Sequence, residues 1–219
     1  EATRIAAFNI ARLFHQLGDG KRSHEWSVRA IKHMTPSNVR EFRKQFLAIS
    51  TDLFNQQHFY ESAQLSALVF ERLCKQKSRD KKVFFKNAYV IYLSDGKTKE
   101  AREVIDRGVK CKVPTKIISH AKLDYLKAML NAGEWQPTVS VLHQLGKNKK
   151  LWPNLIAHWG EILQRYREQG KSKDIARISK LVRSYYLHSV RMKDPVPLKG
   201  LDVVAQAELE KLEILKQRM

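Results

Sequence analysis

Gly96-Lys97-Thr98 has the ending of a phosphate-binding loop, in which backbone N–H groups cradle phosphate oxygens and the lysine reaches over them. That loop needs another glycine about five residues earlier. Position 91 is isoleucine inside an apolar helical run, so the cradle cannot form and a helix turn is the better reading. The eight histidines contain no HxxxH or HExxH pair that would set two imidazoles on one helix face. Neither Cys74 nor Cys111 sits in a CxxC pair, so no metal site is expected. No GxSxG elbow is present, and His58 and Cys74 fall at opposite ends of one expected helix, too far apart to act as base and nucleophile. The sequence therefore predicts a non-catalytic protein without a cofactor. The two cysteines give no disulfide framework. Cys74 is expected as a buried, inert thiol and Cys111 as a loop thiol, which points to a reduced, intracellular and most simply cytoplasmic setting.

The residues that organise the chain are structural. Phe84–Val113 reads as a helix, a tight turn at Ser94-Asp95-Gly96, and a second helix folded back on the first. Phe85, Ala88, Tyr89 and Tyr92 recur at helical spacing on the first, as do Ala101, Val104, Ile105 and Gly108 on the second. Gly96 supplies the left-handed residue after the first helix. Tyr92, Gly96, Ala101 and Ile105 lie at the spacing of aromatic, glycine, alanine and large apolar residue in tetratricopeptide repeats, and the stretch resembles that family.

Four more pairs follow from the same pattern. The first runs from about Ala2 to Met34, with its turn at Leu17-Gly18-Asp19-Gly20 and Ser23 and Ala30 at the small positions. Thr35-Pro36-Ser37 then caps the next helix. The second pair spans about Ser37 to Gln76, with Phe54, Tyr60, Ala63 and Phe70 packing and His58 in the glycine's place. The fourth, about Pro114 to Gly146, turns at Gly133 and places Thr138 in the alanine slot. The fifth, about Leu151 to Met192, turns at Gly170. Turn positions 18, 58, 96, 133 and 170 give a period longer than the family's ~34 residues. Lys193-Asp194-Pro195-Val196-Pro197 breaks the last pair, and Leu201–Met219 forms an amphipathic segment striped with Val204, Ala207, Leu209, Leu212 and Leu215. The expected fold is all-α: a right-handed solenoid of about five antiparallel helix pairs over residues 1–192, with a linker and capping helix over 193–219. Tyr89, Tyr92, Trp135, Trp159 and Tyr166 take packing positions in it, which argues against base stacking.

No apolar run approaches the ~18 residues of a membrane span. The net charge is +19, and +11 of it lies within residues 75–150, which favours an acidic partner. In the tetratricopeptide family the first helices of successive pairs line a concave groove that receives a peptide or helix. Carried onto this chain, the resemblance implies groove positions at Arg12 and His15, at Ala48, Asp52 and Asn55, and at Lys86, Asn87 and Val90. It continues at Lys127 in the fourth pair and at Gln164 and Arg167 in the fifth. A basic patch is expected at Lys75, Lys77, Arg79, Lys81 and Lys82. The implied function is a scaffold for protein or peptide partners, a module of a larger protein. GKTKEAREVIDRG is also similar to pentatricopeptide repeats, which implies RNA binding through the basic surface as the alternative.

Overall fold

In a computed structural model the described residues are 2–76 and 80–217, and side chains are described over 5–76 and 80–209. Among them there are twelve α-helices, one short 3-10 turn at Lys149–Leu151 and no strand. The helices are α1 (Ala2–Gln16), α2 (Gly20–His33), α3 (Pro36–Glu41), α4 (Arg43–Asn55), α5 (Phe59–Arg72), α6 (Asp80–Ser94) and α7 (Thr98–Lys110). They continue with α8 (Thr115–Asn131), α9 (Gln136–Leu145), α10 (Trp152–Glu168), α11 (Ser172–Arg191) and α12 (Leu198–Gln217). Residues 1–128 and 129–219 form two compact units. In the first, α1 packs on α2, α4 on α5, and α6 on both α5 and α7. In the second, α10, α11 and α12 pack on one another.

The turns explain why each pair folds back. Gly18, Gly96, Gly133 and Gly170 all have positive φ, between 65 and 77°, which closes each first helix at little steric cost. In the second pair this role belongs to Gln57 (φ 64°), and His58 only precedes the next helix. The turn thus lies one residue before its expected position. That slip moves the packing position from Phe54, 42% exposed, to Leu53, which is buried, and leaves Tyr60 39% exposed. Phe54 and Tyr60 are therefore not core residues, whereas Ala63 and Phe70 are.

Small residues allow the two helices of a pair to cross closely. Ser23, Ser62, Ala101 and Thr138 each follow their turn residue by five positions and are fully buried. The serines find partners across the crossing: Ser23 Oγ donates to Ala11 O at 3.0 Å and Ser62 Oγ to Ser50 O at 2.6 Å. A buried hydroxyl costs little when its hydrogen bond is made. The second pair's first helix is also broken. Thr35 caps α3 in a reciprocal arrangement with Asn38, and Phe42 then leaves helical geometry to set its ring 4.4 Å from Phe8.

Two further expectations change. Cys74 and Cys111 form a disulfide with Cα atoms 4.9 Å apart, so neither is a free thiol and Cys111 is buried. The cysteines lie just past the C-terminal ends of α5 and α7, the second helices of successive pairs, so the stacking of pairs brings them together. The inference of a reduced compartment loses its support. In the second unit α12 starts at Leu198, and Val204 and Ala207 are buried, but Leu209 is 61% exposed and lies off the packed stripe. The side chains of Leu212 and Leu215 and the whole of Met219 lie outside the described residues.

One buried imidazole makes the fold pH-sensitive. His24 on α2 has a buried Nε2 without a hydrogen-bond partner among the described residues. Burial holds its pKa below the ordinary value of 6.5, and nearby Glu61 and Gln64 offset this only in part. The unfolded chain takes up the proton more readily, so this contribution is whole above about pH 6.5 and is lost as pH falls through the lower folded value. Melting temperatures measured from pH 7.5 to 5 should fall, and His24→Gln should flatten that fall. A variant with an unchanged slope would show that other groups carry it.

Candidate functional site

The helical register decides which side chains of α4 and α6 remain open. Phe84, Phe85, Ala88 and Tyr89 are buried in α6, which leaves Lys86 exposed and Asn87 and Val90 half-buried on a neighbouring strip. On α4 the same logic buries Phe46, Ile49 and Leu53 and leaves Thr51 and Phe54 open. The two strips face each other across an open cleft of about 250 Å³ lined by Ser50, Thr51, Phe54, Lys86, Asn87, Val90 and Ile91. Ser50 is turned into the core, where its hydroxyl meets Ser66 Oγ at 2.9 Å. Thr51 Oγ1 donates to Leu47 O at 2.9 Å. The floor is thus apolar, from Phe54, Val90 and Ile91, and among the described residues the one charged residue lining it is Lys86. An exposed apolar floor with a single cationic rim group suits an apolar side chain flanked by a carboxylate.

The other expected groove residues divide by position. His15 Nε2 reaches Asp52 Oδ2 at 3.3 Å, joining α1 to α4 and occupying the carboxylate beside the cleft. Arg12, Asn55 and Lys127 are exposed, and none of them lines the cleft. Gln164 and Arg167 belong to the second unit and are held within it. Gln164 Nε2 donates to Glu168 Oε1 at 3.3 Å, and Arg167 Nη1 to Gln206 Oε1 of α12 at 3.4 Å.

The basic patch is smaller than its sequence. Lys75 and Lys82 are exposed, while Lys77 and Arg79 lie outside the described residues. Lys81 has its ammonium engaged within the fold: Nζ donates to Cys74 O at 3.1 Å and to Cys111 O at 3.0 Å. It thereby satisfies carbonyls left open beyond the ends of α5 and α7, beside the disulfide. The spacing of Cys74 and Cys111, 37 residues, is close to the 39 that separate the turn residues Gln57 and Gly96 of their two pairs, and that near-match is the signal the sequence offers for both features.

The aromatic residues split between packing and edges. Tyr89 donates to Asp124 Oδ2 at 3.1 Å, and burial with that carboxylate raises its phenol pKa. Trp159 and Trp135 are buried, and Trp135 meets half-buried Tyr166 edge-on at 5.1 Å. Trp152 stacks on Tyr185 at 4.4 Å and donates Nε1–H to Gly146 O at 2.7 Å. Trp26 is half-buried under the Arg29 guanidinium, 4.7 Å from the ring centre. Among the described residues no three His, Cys, Asp or Glu gather as metal ligands, and no helix is long and apolar enough to cross a membrane.

No family model matches the chain, and no curated protein does. Among solved structures it is similar to a putative kinesin light chain of Podosopora anserina with nearly identical TPR-like repeats. Identity is 15%, the TM-score is 0.43, and the match covers 87% of this chain and 96% of that one.

Proposed function

We propose that the chain is a non-catalytic protein-interaction scaffold, with residues 1–192 as its repeat array and 193–219 as linker and capping segment. The cleft between α4 and α6 receives a peptide or helix of an acidic partner. The observation that supports this is the cleft's composition: an open apolar floor at Phe54, Val90 and Ile91 beneath Lys86, the one charged lining residue among those described. An apolar anchor seats on that floor, and an adjacent carboxylate meets the lysine. The +19 field of the whole chain speeds the approach of an acidic segment.

Reversing Lys86 to glutamate places like charge against such a carboxylate. Binding of a labelled acidic, leucine-containing peptide, followed by fluorescence anisotropy, should weaken by about tenfold or more through faster dissociation. Phe54→Ser should weaken it as well. Charge reversal at Lys82, outside the cleft, should mainly slow association. If Lys82 reversal matters as much as Lys86 reversal, diffuse charge and not the cleft governs binding.

The central basic excess favours RNA as the second reading. A salt titration with random single-stranded RNA separates the two. Affinity below a Kd of about 10⁻⁶ M with sequence preference would favour RNA, and a Kd above about 10⁻⁴ M at physiological salt would remove it.

A further inference from the structure

The layer formed by α5 and α7 carries a second cleft with the opposite electrostatic character. It encloses about 220 Å³, and its polar lining comes from Tyr60, Gln64, Tyr92, Glu100, Glu103 and the Glu71–Arg107 pair. Arg107 Nη1 lies 2.6 Å from Glu71 Oε2, so these two charges neutralise each other. Glu100 and Glu103, one turn apart on α7, have no cationic partner within the described residues, although the chain holds 41 lysines and arginines. The cleft therefore has a net negative charge in a strongly positive chain.

A second observation points into the same space. Tyr92 is only 5% exposed, yet its phenol has no hydrogen-bond partner among the described residues. Burial, with the nearby Tyr60, Glu100 and Glu103, raises the phenol's pKa above its ordinary value, and all three of those residues line the cleft. Tyr92 lines the cleft, so its hydroxyl oxygen is open to accept a hydrogen bond from an occupant. Above it, the exposed Tyr60 ring stands 5.9 Å from that of Tyr92 and offers an aromatic face.

We propose that the α5/α7 cleft is a docking site for an arginine side chain presented by a basic segment of a partner protein. A guanidinium is planar and carries five N–H donors, so it can bond both free carboxylates and the Tyr92 oxygen while its face stacks on Tyr60. A lysine ammonium has neither the fork nor the face. A metal ion is a poorer occupant, because the described residues bring no three ligating groups together there. The assignment does not rest on the α4/α6 cleft.

The test is a ¹⁵N NMR titration of the full chain with Nα-acetyl-arginine amide, against the neutral Nα-acetyl-citrulline amide. Arginine should shift amides of α5 and α7 and citrulline should not. The double variant Glu100→Gln/Glu103→Gln, verified as folded by its melting curve, should weaken arginine binding by at least about tenfold. Tyr92→Phe should weaken it by a smaller factor, and Lys86→Glu should leave it unchanged. Sedimentation velocity identifies the source of the arginine. A wild-type dimer that the double variant converts to monomer would make the partner a second copy, with the cleft assignment intact. Equal shifts with citrulline, or arginine binding unaltered in the double variant, would overturn the proposal.

Discussion

Phe85→Ala will lower the stability of the first unit by about 3–5 kcal/mol, the range for truncating a buried aromatic ring. Phe85 of α6 is fully buried where α5, α7 and α8 meet its helix. Its ring lies 5.3 Å from Phe70 of α5 and 5.2 Å from Tyr89 of α6. The edge of the ring also fills the niche left by Gly108 on α7, where a Cβ would collide with it, and Ile118 of α8 closes the same niche. Truncation opens a cavity that no single helix can close, since α5, α7 and α8 would each have to move. Urea unfolding followed by circular dichroism should show an earlier midpoint with little change in slope. A loss below about 1 kcal/mol would mean that the neighbours collapse into the space and the site is plastic.

Removing the Cys74–Cys111 bridge should cost about 2–4 kcal/mol. The 37-residue separation sets the loop whose closure constrains the unfolded chain, and closures of this size fall in that range. Cys74→Ser/Cys111→Ser, or the wild-type chain in reductant, should unfold at lower denaturant by the same amount. The fold itself should persist, because Lys81 continues to bridge the two backbone carbonyls and Glu71 still pairs with Arg107. If reductant leaves the wild-type unfolding curve where it was, the bridge contributes nothing to stability.

The parts of this fold that can be read from the sequence are those where chemistry leaves one choice. Four turns carry glycine at positive φ, and the helix pairs are legible from them. Gln57 performs the same role without the signature, because a non-glycine residue can be held in that conformation by its neighbours at a modest cost. The consequence was local: a one-residue shift in register put Phe54 and Tyr60 in the core, although each borders a cleft. Lys86, Asn87 and Val90 could be assigned to an open face from helical spacing alone. Lys81 could not be told from its neighbours, because only tertiary stacking brings two carbonyls to its ammonium. The same holds for Glu100 and Glu103, which form no ion pair among the described residues because Arg107, in the same cleft, pairs with Glu71. Cys74 and Cys111 are legible in principle, since each closely follows the second helix of its pair and the ends of stacked pairs are spatial neighbours.

The disulfide also determines how the chain would carry load. Tension applied to the two ends of the polypeptide would pass from Cys74 to Cys111 through sulfur and bypass the residues between them. The α6–α7 pair then forms a side loop that bears no force. Its contour, roughly 120 Å for a separation of 37 residues, would stay hidden from any extension short of reduction. A protease cut within that loop would likewise leave the two flanking pieces joined, so backbone scission there would not divide the molecule.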